Sequence, residues 1–353
     1  MSQKFPYGVA TGNLVKEIFE YAKENGFAIP AVNVIGSNTI NSVMEVASEV
    51  NSPVIIQLSN GGAMFYAGKG LKNKERATKG AIACARHVHE LSKFYKTTVI
   101  LHTDHCSKKD ILWIDGLLNA NEIHYKSFGK TLFSSHMLDL SQESLEENIR
   151  ICEKYFEKMN KIQMTIEIEL GVTGGEEDGI DNSNIENNKL YTQPKEVSYA
   201  YERLRRINNN FIIAASFGNV HGVYQPGNVI LRTEILQETQ KYIQKKFQTR
   251  EKPVFFVFHG GSGSSKKEIQ DAISYGVVKM NVDTDLQYAF TCGVRDYMRK
   301  YKKYLEKQIG NPEGGHLPNK KYYDPRTWLR EGEKSFKIYL RKYFELMNNI
   351  NTL

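Results

Sequence analysis

The stretch VILHTDH, residues 99–105, runs from apolar β-formers straight into ionisable groups. Two other stretches behave alike: IIAASFGNVHG, 212–222, reaches His221, and VFFVFHGGSGS, 254–264, turns polar at His259. Neutral imidazole is the commonest metal ligand, and three protein ligands with an open fourth position form the usual catalytic zinc site. Ligands at the ends of His105, His221 and His259 strands converge only if those strands lie parallel, with their C-terminal ends together. One pattern thus bears on both fold and chemistry.

Working outward, the same kind of run recurs eight times. The runs are AIPAVNV from Ala28, PVIIQLS from Pro53, TVILHTDH from Thr98, TLFSSHMLDL from Thr131, MTIEIELG from Met164, FIIAASFG from Phe211, PVFFVFHGG from Pro253 and GVVKMNVDT from Gly276. Several are almost continuously apolar, as parallel strands covered on both faces must be. Amphipathic segments separate them. SNTINSVMEVASEV offers Ser37 as N-cap, SQESLEENIRICEKYFEKM opens at Ser141, and SKKEIQDAISYG ends on Gly276. Eight βα units predict an α/β fold, a (β/α)8 TIM barrel. A doubly wound sheet is the alternative, but AVNVIGSN lacks the Gly-rich turn that fold carries after its first strand.

Three segments fall outside the repeat. The first stretch, to about Asn25, reads as an N-terminal helix placed to plug the barrel bottom. Residues 171–195 are polar, Gly-rich and acidic, which suits a mobile active-site loop. The tail from about residue 296 to 353 reads as a basic C-terminal helical arm, packed on the barrel or on a second subunit. No linker divides the chain, so residues 1–353 are expected to form one domain.

The chain has 353 residues and a net charge of +7. No window approaches the roughly 20 apolar residues of a bilayer span, and the N-terminus shows no signal-peptide core. The four cysteines are scattered, with no CxxC pair, which fits a reducing cytoplasm. The basic excess lacks the dense stripe with interleaved aromatics that nucleic acid needs, so neither membrane nor nucleic acid is an expected partner. It suits small anionic ligands.

A barrel keeps its chemistry at the C-terminal strand ends. The polar residues there are Asn33, Ser59, Asp104, His105, Asp139, Glu167, Glu169, His221, His259, Asn281 and Asp283. A lone histidine is more often structural than ligating; three at equivalent strand ends favour a metal. Asp104 is placed to orient a ligand or act as a general acid or base. Glu167 and Glu169 share one strand face, and two inward carboxylates need a cation or donors. HGGSGS after the seventh run and NVDT after the eighth stand where barrels hold phosphate. Glu176 and Glu177 read either as a solvated acidic loop or as a carboxylate base carried on a lid. Cys106 beside His105 is a weaker ligand candidate, because strand neighbours point to opposite faces. His87, His89 and His124, in helical context, read as surface residues.

The motifs ILHTDHC, IEIELGVTGGEEDG, FGNVHGVY, FHGGSGS and VVKMNVDTD resemble those of class II, metal-dependent fructose-bisphosphate aldolases, of the class IIA subgroup. AVNV, QLSNGGA, LFSSHMLDLS and NKKYYDPRTWL extend the resemblance from about Thr11 to the C-terminus. Val34, Val172 and Gln225 depart from the pattern without touching a catalytic role. The resemblance implies reversible cleavage of fructose 1,6-bisphosphate in glycolysis and gluconeogenesis by a cytoplasmic homodimer. It implies catalytic zinc on His105, His221 and His259, with Asp139 and Glu169 at a second divalent site. It implies a monovalent cation, Na+ or K+, on the carbonyls of Val220, Gly222 and Gly260. It assigns the catalytic roles to Asp104, Glu177 and Asn281. It implies sugar-phosphate contacts from Asn33, Ser59, Gly222, Gly260, Gly261, Ser262, Asn281, Val282, Asp283 and Thr284, and an Arg326 that reaches the second phosphate from the partner subunit.

Rival readings remain distinguishable. A tagatose-bisphosphate aldolase uses the same groups with different hydroxyl stereochemistry. A Schiff-base aldolase would employ Lys279 and resist chelators. A barrel metallohydrolase would release phosphate without C–C cleavage, and a catalytically dead metal-binding scaffold would do neither.

Overall fold

The computed structural model describes residues 3–177, 180–181, 190–221, 230–261 and 263–353; for 175–177, 180–181 and 221 only the backbone is described. All eight runs form strands: β1 Ile29–Asn33, β2 Val54–Leu58, β3 Thr98–Thr103, β4 Ser135–Leu138, β5 Thr165–Leu170, β6 Phe211–Ala215, β7 Phe256–Phe258 and β8 Val277–Val282. Each pairs in parallel with its chain neighbours, and β8 pairs with β1, so the ring closes. That is a (β/α)8 barrel.

Strand alternation sorts the core into two shells. Outward residues such as Val32, Ile56, Leu101, Ile166, Ile213 and Val282 meet the surrounding helices. Inward residues Ile29, Ala31, Ile55, Ile100, Ile212, Ala214 and Val257 fill the lower barrel. The N-terminal helix, Asn13–Glu24, closes that end. Its Val15, Ile18, Phe19 and Ala22 are buried in the same inner cluster, as its sequence led one to expect. Burying each of the larger three contributes about 1.5–3 kcal/mol. Above this apolar floor the inward positions turn polar: Gln57, His102, Asp104, Glu167, Glu169, Lys279 and Asn281 are all buried. A register shift beside β7 lets two β8 residues advance for one, so Val278 joins the inner cluster while the next residue, Lys279, still reaches inward.

The helices start close to where the sequence places them. Helix α1, Ser37–Glu49, is capped one residue early, at Gly36, with the Thr39 hydroxyl accepting from Gly36 N–H at 3.3 Å. The helix Leu145–Asn160 begins at Ser144 and not at Ser141. Ser141 instead donates to Asp139 Oδ1 at 2.6 Å. Ser265 caps Lys266–Ser274 through Glu268 N–H, with Glu268 reciprocating.

Two outer segments take definite form. Gly174–Glu177 is a short strand, paired in parallel with Val220–His221 and antiparallel with Ile180–Asp181. The C-terminal helix Pro325–Leu346 packs on this chain's own barrel, against α1 and the helix Thr284–Lys300. Glu45 of α1 receives Arg330 at 2.9 Å and Lys337 at 2.7 Å. Past the helix, Asn349 donates to the Pro53 carbonyl at 3.0 Å, beside the start of β2. No described helix is long and apolar enough to cross a membrane.

Candidate active site

Strand β3 ends at Thr103, and His105 follows with φ +37°, a left-handed turn that breaks strand alternation. Asp104 and His105 therefore both serve the barrel mouth, although alternation alone would separate them. His105 Nδ1 lies 3.0 Å from Asp139 Oδ2 and 3.4 Å from Glu169 Oε2. The His105 and His259 rings are 4.7 Å apart. His259 Nδ1 is 3.6 Å from Glu169 Oε2, and its Nε2 is 2.8 Å from Glu167 Oε1. Burial alone would lower the His259 pKa, but hydrogen bonds to Glu167 and Glu169 push it up to about 9. Burial would raise Asp139, yet hydrogen bonds from His105 and Ser141 hold it well below the usual carboxylate range. The carboxylates thus demand positive charge on or between these imidazoles.

His221 enters through its backbone. Val220–His221 lies beside Gly174–Gly175, and Asn219 Nδ2 donates to the His259 carbonyl at 3.0 Å. Gly260 has φ +59°, and a Cβ there would sit 2.4 Å from the Val220 carbonyl. The His221 segment is therefore pressed against the His259 turn. The His221 and Glu177 side chains, Gly222 and Ser262 lie outside the described residues.

Asp104 is fully buried and collects amides. Its Oδ2 accepts from Gln57 Nε2 at 2.9 Å and Asn33 Nδ2 at 3.1 Å, and Asn281 Nδ2 stands 3.3 Å from Oδ1. Beneath it, Glu167 Oε2 accepts from Lys279 Nζ at 2.7 Å and lies 3.2 Å from His102 Nε2. Burial works against ionising Glu167, but the Lys279 charge foremost holds its pKa well below normal. Burial and then Lys279 hold His102 low, so it meets Glu167 as a neutral ring, its Nδ1 2.7 Å from Ser135 Oγ.

The phosphate candidates ring the same end. A Cβ on Gly261 would lie 2.2 Å from the Met280 methyl, which would have to swing aside to admit it. Val282 ends β8, Asp283 precedes the helix Thr284–Lys300, and Ser59 caps the helix Asn60–Tyr66. Arg326 stands apart. Its side chain is 89% exposed and pairs with Asp324 at 2.6 Å. It projects outward from this chain.

Other sequence candidates resolve differently. Cys106 is fully buried among outer-shell residues, and burial pushes its thiol up, so it does not ligate. Lys279 is committed to Glu167. His87 and His89 are half-buried clamps, on Asn41 at 2.9 Å and the Leu132 carbonyl at 2.8 Å, and His124 holds the Lys130 carbonyl at 2.7 Å. They are not free surface residues. Gln57 was not among the sequence candidates; the signal for it is an amide inside the otherwise apolar run PVIIQLS.

Asp104, His105 and His259 present donor atoms within 4.8 Å of one another, and so do His105, Asp139 and Glu169. Imidazole nitrogens and carboxylate oxygens in that arrangement suit a divalent first-row metal. The fold and this site define a (β/α)8 barrel with metal-ligating side chains gathered at the C-terminal ends of its strands. Residues 13–352 match the family model for fructose-bisphosphate aldolase class-II. The chain is 59% identical to the fructose-bisphosphate aldolase of Campylobacter jejuni over 345 residues, covering 98% of this chain and 97% of that one. It is 56% identical to the class 2 enzyme of Escherichia coli K12, covering 100% of each. The crystal structure of a C. jejuni aldolase superposes with a TM-score of 0.90 at 57% identity, covering 99% of this chain and 98% of that one. The chain belongs to the class II fructose-bisphosphate aldolases, metal-dependent lyases that act on sugar phosphates.

Proposed function

We propose that this chain cleaves fructose 1,6-bisphosphate reversibly into dihydroxyacetone phosphate and glyceraldehyde 3-phosphate, with zinc held by His105, His221 and His259. The observation that carries this is the clustering of Asp104, His105 and His259 donor atoms at the C-terminal end of the barrel. Bound there, zinc would supply Lewis-acid polarisation of the substrate ketone. Everything else falls to the chain's own residues. In the condensation direction Glu177 removes the α-proton of dihydroxyacetone phosphate. Asp104 then delivers a proton to the aldehyde oxygen, and cleavage reverses both transfers. Its amides from Asn33, Gln57 and Asn281 fix the carboxylate so that the proton leaves toward substrate. Asn281 also has an oxygen and a nitrogen to orient the substrate hydroxyls, with Asn33 and Ser59.

Backbone donors of Gly222, Gly260, Gly261 and Ser262, then of Val282, Asp283 and Thr284, hold one phosphate. Val220, Gly222 and Gly260 carbonyls hold the monovalent cation, supported by the closeness of the Val220 carbonyl to Gly260. Arg326 serves the second phosphate across a homodimer, and its outward exposure supports this. Asp139 and Glu169 hold a second divalent position. A cytoplasmic setting fits the free cysteines.

The test is metal content together with coupled aldolase activity, with and without chelator, on fructose and tagatose bisphosphates. Activity that survives complete zinc removal would refute the reading. Preference for the tagatose ester would redirect the substrate assignment.

A further inference from the structure

The hydrogen-bond chain under His259 has no part in the chemistry described so far. His259 Nε2 donates to Glu167 Oε1 at 2.8 Å, and Lys279 Nζ donates to Glu167 Oε2 at 2.7 Å. Lys279 Nζ also stands 4.0 Å from Asp104 Oδ1. Glu167 and Lys279 are both buried, at 0% and 1% exposure of the side chain. A buried ion pair is a poor source of net stability, since desolvation offsets the attraction. Retaining one directly below the site calls for another use.

We propose that Glu167 and Lys279 are positioning residues that fix which nitrogen of His259 faces the metal. An imidazole has two nitrogens, and the partner of one decides the role of the other. With its Nε2 proton given to Glu167, His259 turns Nδ1 toward Glu169 and His105, on the metal side. Only an ionised carboxylate makes that choice one-sided, because it accepts and does not donate. A glutamine could donate its amide to Nε2 and so favour the wrong tautomer. Lys279 Nζ occupies the other carboxylate oxygen, Oε2, at 2.7 Å, which holds the group in place with Oε1 turned to the imidazole. Its charge also faces Asp104, so one buried cation orients the metal-holding half and the proton-moving half together. This rests on the assignment of His259 as a zinc ligand.

The experiment compares wild type, Glu167→Gln, Lys279→Met, His259→Ala and the double variant E167Q/K279M. Zinc affinity is measured by chelator competition, and 15N-histidine spectra of the zinc-loaded wild type locate the His259 proton. The expected wild-type result is a proton on Nε2, slow to exchange with solvent. Glu167→Gln is expected to bind zinc about 10–100-fold more weakly. The single variants each leave one buried charge without its partner and are the ones at risk of misfolding. The double variant removes both members of the Glu167–Lys279 pair and leaves Asp104 to its three amides, so it should fold, shown by an unchanged circular dichroism spectrum, and still bind zinc weakly. Wild-type zinc affinity in the double variant overturns the proposal, as does a His259 proton found on Nδ1 in the loaded wild type. Unchanged affinity in His259→Ala removes the ligand assignment itself, a separate failure.

Discussion

At the scale of single residues, the proposed division of proton transfer falls on two carboxylates in unlike surroundings. Asp104 is sealed among three amides, whereas Glu177 belongs to the short outer strand Gly174–Glu177. Removing them should leave different partial reactions. Asp104→Ala is expected to lower kcat for bisphosphate cleavage by about 10²–10⁴-fold, the usual worth of a general acid. It should leave detritiation of dihydroxyacetone phosphate largely intact, since Asp104 acts on the aldehyde oxygen. Glu177→Ala should lower kcat similarly and abolish that exchange. Equal loss of exchange in both variants would collapse the division. If Glu177→Ala keeps full turnover, Glu176 becomes the next base to test.

At the scale of elements, turns carry the site as much as strands do. The β7 turn is shaped by Gly260, whose positive φ and contact with the Val220 carbonyl exclude a side chain. Gly260→Ala is expected to cost about 1–3 kcal/mol of stability in urea melts and to raise KM for dihydroxyacetone phosphate in the exchange assay. A fully stable variant with unchanged KM would show that the turn is not the phosphate cradle. The Gly174–Glu177 strand makes a second such point. Through its ladder with Val220–His221, it joins the segment bearing Glu177 to a proposed zinc ligand. Displacement of one is then felt at the other.

For the whole molecule, the C-terminal helix links stability to the proposed homodimer. It docks on α1 through Glu45, which Arg330 and Lys337 grip. Burial would raise the Glu45 pKa, but hydrogen bonds from Arg330 and Lys337 outweigh it and lower the value from 4.5. A depressed folded-state pKa contributes stability that is complete above the unfolded value and is lost as pH falls through the folded one. Docking should therefore weaken from about pH 4.5 downward, and Glu45→Gln should flatten that acid limb in urea midpoints while lowering stability near neutrality. An unchanged acid limb would remove the network as its source. At the other end of the same helix, Arg326→Ala should raise KM for fructose 1,6-bisphosphate at least tenfold. Proton exchange on dihydroxyacetone phosphate alone should stay near wild type. If Arg326 serves its own chain, mixing Arg326→Ala with Asp104→Ala subunits restores nothing; service across the dimer predicts recovered activity in the mixture.

The eight strands and their order were legible in the chain because parallel barrel strands are buried on both faces, which leaves continuous apolar runs ending in polar residues. The plug helix was legible as a stretch before the first of the eight repeated units. Cap positions shifted by one residue at α1 and by three at Ser144, where local side-chain bonds, Thr39 with Gly36 and Ser141 with Asp139, set the helix start. What only the tertiary structure decided is the layer beneath the mouth. Glu167 and Lys279 are 112 residues apart, and Gln57 reaches Asp104 across 47. No local period relates such positions. They meet because the closed ring brings each inward side chain to one axis, where a buried charge has to find its partner.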